Sequence, residues 1–136
     1  MKKKINLIIV IFTVSITVGF FAVFADESET VKCKKFIESY GWRISGKYNE
    51  SVEIKIPEIF DEVYKGYNVI QKEAGLDIEP YRGMNGRRYT YEVLNYPLDM
   101  GEKVYANVVC IKGEPVAGDI MTVSVNGFMH SLKMPK

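Results

Sequence analysis

The clearest pattern of apolar and polar positions lies in residues 56–75, where apolar side chains recur at the spacing of one helix face. We predict a helix over 58–74 with Pro57 in its first turn, where a missing N–H removes no helical hydrogen bond. Gly75 is the predicted end, because glycine adopts a left-handed conformation without a Cβ clash. The apolar positions of this helix are Ile59, Phe60, Val63, Tyr67, Ile70 and Ala74.

Further along the chain the pattern changes to alternation with a period of two, which indicates strands. Tyr89, Tyr91 and Val93, for example, alternate with polar side chains. The predicted elements are a helix over 31–40, a strand over 52–56, the central helix, a loop over 76–86, and strands over 88–94, 103–111 and 116–125. This order predicts an α+β fold in which two helices pack on one face of an antiparallel sheet of about four strands.

The first 25 residues form a separate segment. Three lysines follow Met1, and residues 5–25 contain no charged side chain. A run of this length fits a transmembrane anchor of about 20 residues, whereas the small side chain of Ala25 before a polar stretch fits a signal peptide that is cleaved there. In both cases the lysines stay cytoplasmic, and residues 26–136 form a single extracytoplasmic domain. We expect the cell membrane, with the C-terminal domain outside, or secretion after cleavage near Ala25.

Composition favours one folded domain and argues against a nucleic-acid partner. Apolar residues make up 47% of the chain and charged residues 26%, as in ordinary globular proteins. Without the three N-terminal lysines, the 18 basic residues become 15 against 17 acidic ones, a net charge of −2. Binding to nucleic acid needs a basic patch instead. No cofactor motif is present, so we expect no cofactor.

A few residues of the exported part are candidates for chemistry. Cys33 and Cys110 are the only cysteines, and outside the cell they are disulfide candidates, with two separate thiols as the alternative. Two cysteines are too few for a zinc site, and no metal site is expected. His130 is the only histidine, and in an enzyme it would act as a base together with Asp119 or Cys110.

A second group of residues fits a binding surface. Tyrosine is enriched where proteins recognise other molecules, and Tyr89, Tyr91 and Tyr96 lie in or next to the predicted strands. Arg88 and Asp119 would add a polar patch on the exposed face of the sheet. The alternative is that the tyrosines fill the interface between helix and sheet, while the polar side chains form pairs across strands.

Several short segments follow one another in a characteristic order. They are residues 36–42 (FIESYGW), 56–71 (IPEIFDEVYKGYNVIQ), 89–91 (YTY), 95–97 (NYP), 118–120 (GDI) and 127–130 (GFMH). Together they resemble the family domain of unknown function 4830, which is found in envelope-directed proteins of Gram-positive bacteria. The resemblance covers nearly all of the exported part. It implies a location in the cell envelope and a shared fold, and it implies no activity.

The sequence therefore favours a non-enzymatic extracytoplasmic module, tethered through residues 1–25 or secreted, that binds a protein or a cell-envelope component. Small size, missing cofactor motifs and a lone histidine favour this interpretation. The alternative hypothesis is a small hydrolase or thiol enzyme centred on His130 with Asp119 or Cys110. That alternative requires the base and the nucleophile to lie within hydrogen-bond reach of each other.

Overall fold

A computed structural model describes residues 29–136 of the chain, and this part has the predicted α+β architecture. The predicted signal peptide or transmembrane anchor over 1–25 lies outside the described residues. Within 29–136, no helix combines the length and the apolar character needed to span a bilayer. The elements are α1 (29–38), β1 (Glu50–Lys55), α2 (Glu62–Glu73), a short 3-10 helix (Glu79–Tyr81), β2 (Asn85–Glu92), β3 (Tyr105–Ile111), β4 (Glu114–Met121) and β5 (Met129–His130).

The strands form one antiparallel sheet in the order β1-β2-β3-β4-β5. β3 and β4 are joined by Lys112 and Gly113, whose φ angles of 51° and 79° match a two-residue hairpin turn with both residues left-handed. β5 was not predicted, because a strand of two residues is too short to show alternation. The sheet therefore has five strands where about four were expected.

The two helices cover opposite faces of the sheet. Cys33 and Ile37 of α1 pack with Val108, whereas Tyr67 of α2 packs with Val109. Neighbouring residues of a strand point to opposite faces, so these two valines belong to different faces. The prediction that both helices pack on one face is wrong. The physical reason is that β3 is apolar on both sides, as strands are when both faces are covered.

We name the faces after the helices that cover them. The α1 face contains the side chains of Tyr89, Tyr91, Ala106, Val108, Cys110 and Ile120, with Trp42 and Leu132 packed among them. The α2 face contains those of Arg88, Thr90, Asn107, Val109 and Asp119. At the C-terminal end of α2, the Tyr40 hydroxyl donates a hydrogen bond to the Ala74 carbonyl oxygen at 2.9 Å.

The central helix starts later than predicted. Asp61 is its N-cap, and the Asp61 carboxylate accepts a hydrogen bond from the backbone N–H of Tyr64 at 2.9 Å. Pro57 therefore precedes the helix, and the predicted start at 58 is wrong. The predicted end is confirmed, because Gly75 follows the last turn with a φ of 79°.

The buried side of α2 also differs from the prediction. Its buried residues are Asn68 and Gln71, both polar, whereas Val63 is 75% exposed. Phe60 is buried, but it lies before the helix. The prediction from apolar spacing took the surroundings of the helix to be apolar. In the structure these surroundings include backbone N–H groups, which need hydrogen-bond acceptors.

Candidate functional site

The structure gives the first two candidate tyrosines a packing role. Tyr89 and Tyr91 are 1% and 2% exposed and lie in the core between α1 and the sheet. The expectation of an accessible tyrosine surface therefore fails at these two positions, because both alternate onto the face that α1 covers. This is the alternative that the sequence left open.

Tyr96 and His130 form a separate aromatic cluster at the end of the sheet. The Tyr96 ring stacks on Trp42 with 5.7 Å between centroids, and Phe128 stacks on His130 at 5.4 Å. His130 Nδ1 lies 2.7 Å from the Ser131 carbonyl oxygen, which can only accept, so Nδ1 carries the proton. In the neutral imidazole, Nε2 accepts from the Tyr96 hydroxyl at 2.9 Å. Both ring nitrogens of His130 are thus engaged.

The described hydrogen bonds do not join the residues of the enzyme hypothesis, because the ring nitrogens of His130 contact Tyr96 and Ser131. His130 pairs with Ile120 in the sheet register and shares its face, whereas Asp119 points to the opposite face. Cys110 is paired with Cys33 in a disulfide that joins β3 to α1. Within residues 29–136, no group of three or more His, Cys, Asp or Glu side chains is placed to hold a metal ion.

The remaining candidates, Arg88 and Asp119, lie together in a cleft between α2 and the sheet. The cleft has a volume of about 240 Å³. Its apolar walls come from β1, α2, β3, β4 and β5 and the residues next to them, and they are Ile54, Ile56, Val63, Val109, Met121 and Met129. We call it the α2 cleft.

We call the polar side chains at the base of the α2 cleft its polar floor; they are Tyr67, Arg88, Thr90, Asn107 and Asp119. Asp119 lies at the centre of this floor. It is 2% exposed, and both carboxylate oxygens accept hydrogen bonds, from Asn107 Nδ2 at 2.9 Å and from the Tyr67 hydroxyl at 2.8 Å. The Asn107 carbonyl in turn accepts from the Thr90 hydroxyl at 2.6 Å. Burial raises the pKa of the Asp119 carboxyl, while the Asn107 and Tyr67 hydrogen bonds and the charges of Arg88 and His130 act to lower it. Burial and the Asp119 charge raise the pKa of Tyr67 well above its usual value.

Arg88 forms the other polar side of the floor. One terminal nitrogen of its guanidinium lies 3.5 Å from a carboxylate oxygen of Glu50. Its Nε is buried and has no hydrogen-bond partner among the described residues. A buried donor without an acceptor is uncommon, because it has lost its hydrogen bond to water and forms none within the protein. Nε is thus covered by protein atoms, although the Arg88 side chain as a whole is 37% exposed.

A larger depression, of about 700 Å³, lies at the other end of the sheet beside the β3–β4 turn. It is lined by charged residues that include Glu29, Lys55 and Lys112. Its Arg87 side chain is already bonded to Ser51 and to Glu53. This depression is a solvated surface, whereas the α2 cleft combines apolar walls with a buried polar floor.

Comparison with known proteins identifies the family of this chain. The family described as Domain of unknown function (DUF4830) matches residues 36–120, which is 85 of the 136 residues. The chain belongs to this family. No curated protein and no solved structure matches it. The matched DUF4830 region contains the whole polar floor of the α2 cleft, and it ends before His130.

Three floor residues of this DUF4830 protein were not predicted as site residues together. The sequence places Thr90 and Asn107 in the polar patch with Arg88 and Asp119, and it places Tyr67 among the tyrosines that either form a binding face or fill the interface between helix and sheet. A usable signal is present, because Asn107 and Asp119 interrupt strands that are otherwise buried and apolar. A polar side chain in such a strand needs partners, and it therefore marks where another element must supply them.

Proposed function

We propose that this protein is a non-enzymatic extracytoplasmic interaction module, held at the membrane through residues 1–25 or secreted, and that its partner binds in the α2 cleft. The observation that supports this most is the cleft itself. Apolar walls that converge on a few fixed polar groups are the usual construction of a recognition site. The floor groups are held in place by their own hydrogen bonds, so the site is preorganised.

The rim of the α2 cleft supports a partner larger than the cleft. Val63 lies on one wall and is 75% exposed, and Met129 lies on the other and is 46% exposed. Exposed apolar side chains around a concave site are typical of surfaces that another macromolecule covers.

The geometry offers less support to the enzyme alternative centred on His130. Its two ring nitrogens bond to Tyr96 and to the Ser131 backbone, and Cys110 is joined to Cys33. A nucleophile within reach of the base is the first requirement of that alternative. We therefore expect the His130→Ala variant to bind the same partner as the wild type.

Site-specific photocrosslinking in the native host tests the binding role. A photoreactive residue at Val63 should give a defined crosslinked product. The matched control is Val69, which is also an exposed valine of α2, at 58%, and does not line the cleft. No product from Val63, or equal products from both positions, would contradict the proposal.

Fractionation of the host with intact-mass measurement tests the location. We expect either a full-length chain in the membrane fraction or a chain that begins near Asp26 in the medium. A full-length chain in the soluble cytoplasm would contradict an extracytoplasmic location.

A further inference from the structure

We infer that a groove between α1 and the loop before β1 binds the phosphate of a membrane phospholipid, and that this contact turns the α1 side of the domain toward the bilayer. The lining of this α1 groove includes Thr30, Val31, Lys34, Lys47, Tyr48 and Tyr91. The inference rests on the membrane-held form of the proposed function. It follows from the position of the groove in the chain, from its cations and from a hydroxyl group at its base.

The α1 groove lies close to the predicted membrane segment. Residues 5–25 contain no charged side chain, and Thr30 of the groove follows Ala25 by only five positions. Five residues span at most about 18 Å, even when the chain is fully extended. The headgroup layer on each side of a bilayer is roughly 5–8 Å thick. A membrane-spanning segment over 5–25 therefore holds the groove within reach of phospholipid headgroups.

The walls of the α1 groove have the composition of a membrane–water interface. Val31 is 51% exposed and Tyr48 is 41% exposed, although valine and tyrosine are both largely apolar. Lys34 and Lys47 lie beside them. Tyrosine is enriched at the level of lipid headgroups, and lysine lays its apolar stem along apolar surface while its ammonium stays in the polar layer. This combination favours a lipid over a ligand that is soluble in water.

The two lysines of the α1 groove are available to an anion. Lys34 contacts Glu38 at 3.9 Å, and an exposed pair at that distance contributes little. Lys47 makes no ion pair among residues 29–136. A phosphate between two ammonium groups accepts charge-assisted hydrogen bonds from both. The groove has a volume of about 290 Å³, whereas one water molecule occupies roughly 30 Å³, so a phosphate and the glycerol carbons next to it fit.

Tyr91 supplies a neutral donor at the base of the α1 groove. The residue is 2% exposed, and its hydroxyl has no hydrogen-bond partner among the described residues. The hydroxyl is not completely covered, because only Gln71 Nε2 and Arg88 Nε are both covered and without a partner there. Burial and the neighbouring Tyr48 raise the pKa of Tyr91 to about 12, so the hydroxyl keeps its proton. A phosphate oxygen is an acceptor that satisfies it.

The orientation of the domain follows from the two faces of the sheet. Tyr91 and the Tyr48 ring that contacts it lie on the α1 face. The α2 cleft lies on the opposite face, where Val63 is exposed. A domain whose α1 groove holds a phospholipid therefore directs the α2 cleft away from the bilayer, where a partner outside the membrane reaches it.

The test is NMR of the full-length protein with ¹³C-labelled tyrosine rings, in dodecyl maltoside micelles, which contain no phosphate. Phosphatidylglycerol is added to the micelles, and diacylglycerol with the same acyl chains is the control lipid without phosphate. Glycerol 3-phosphate in solution is the probe without acyl chains. Tyr48 and Tyr91 line the α1 groove, whereas Tyr64 and Tyr67 line the α2 cleft, so each spectrum contains its own control.

We expect phosphatidylglycerol to shift the Tyr48 and Tyr91 signals until they saturate, and diacylglycerol to shift neither. Glycerol 3-phosphate at about 1 mM should also shift neither signal, because it lacks the high local concentration that the membrane gives to a lipid. The Tyr64 and Tyr67 signals should not respond to any of the three probes, and their unchanged positions in each variant show that the variant is folded.

Variants of the groove identify the groups that bind. Lys34→Gln with Lys47→Gln should weaken the response to phosphatidylglycerol at least about tenfold, since each lysine near a lipid phosphate contributes several-fold. Arginine at both positions keeps the charge and should restore the response. Tyr91→Phe removes only the unpartnered hydroxyl and should weaken the response about threefold. The matched control is Lys32→Gln with Lys35→Gln, which removes the same charge from α1 outside the groove.

Several results would overturn the inference without overturning the proposed function. They are no response to phosphatidylglycerol, an equal response to diacylglycerol or to glycerol 3-phosphate, an unchanged response in the groove variants, or the same loss in the matched control. A native chain that begins near Asp26 in the medium would have the same effect, because no membrane would then lie beside the groove. Failure of the Val63 crosslink would overturn the proposed function instead, and the lipid response would not depend on it.

Discussion

At the scale of single residues, Asp119 is the group on which the polar floor depends. A carboxylate that is 2% exposed must be compensated by donors, and Asn107 and Tyr67 supply one for each oxygen. The network continues to Thr90, so four side chains from α2, β2, β3 and β4 fix one another. Such fully bonded networks hold a single arrangement, which a recognition site needs.

The Tyr67→Phe variant tests this network. It leaves one oxygen of buried Asp119 without a donor, and hydrogen bonds to charged groups contribute about 1.5–3 kcal/mol. We therefore expect the free energy of unfolding to fall by about 2 kcal/mol, as measured by urea denaturation. Tyr64→Phe is the control, because Tyr64 also belongs to α2 and lines the cleft but makes none of the hydrogen bonds of this network. Equal losses in both variants would show that the network does not stabilise the fold.

At the scale of elements, α2 attaches to the sheet through polar contacts at a strand edge. β5 covers only Ile120 and Met121 of β4, so Gly118, which pairs with Val108 of β3 on one side, has no strand on the other. The side chain of Gln71 replaces the missing strand and accepts from Gly118 N at 2.8 Å. Asn68 acts similarly on the following loop, where its side-chain oxygen accepts from Ile78 N at 2.9 Å. These contacts explain why the buried residues of α2 are amides.

The start of α2 provides a test at this scale. Asp61 caps the helix, and loss of an N-cap side chain costs about 1 kcal/mol. We expect Asp61→Ala to lower the free energy of unfolding by that amount. Asp61→Asn should have almost no effect, because asparagine caps a helix about as well as aspartate. If Asp61→Ala were as stable as wild type in thermal melts, the helix would begin elsewhere, for example at the predicted position near Pro57.

At the scale of the whole molecule, the sheet separates two apolar cores. One lies between α1 and the sheet and contains Trp42, whose indole N–H donates to the Leu132 carbonyl oxygen at 2.6 Å. The other lies below α2 and continues into the walls of the cleft. The Cys33–Cys110 disulfide crosses the first core and connects residues that are 77 positions apart.

The disulfide is testable by mass and by stability. The full-length protein isolated without reductant should be two hydrogen atoms lighter than after reduction. Closing a loop of this length contributes roughly 4 kcal/mol in the chain-entropy model, so reductant should lower the denaturation midpoint. The double variant Cys33→Ala, Cys110→Ala should melt at the same temperature with and without reductant. An unreduced mass equal to the reduced mass would show two free thiols instead.

The α+β class, the position of most elements and the family can all be predicted from the sequence. These follow from local periodicity and from turn residues such as Gly75 and Gly113, whose conformations depend on their own backbones. The sequence also separated residues 1–25 from the rest by composition alone. It identified Arg88 and Asp119 as candidates, because they are charged residues within predicted strands.

The faces that the helices cover, and the candidate residues that meet, depend on tertiary contacts that the sequence pattern does not show. Tyr89 and Arg88 are neighbours in the chain, yet one lies in a core and the other lines a cleft, because a strand alternates between its faces. Asp119 and His130 lie on opposite faces for the same reason. The partnership of Tyr67 with Asp119 joins residues 52 positions apart, and periodicity, which is a local property, contains no information about such a distance.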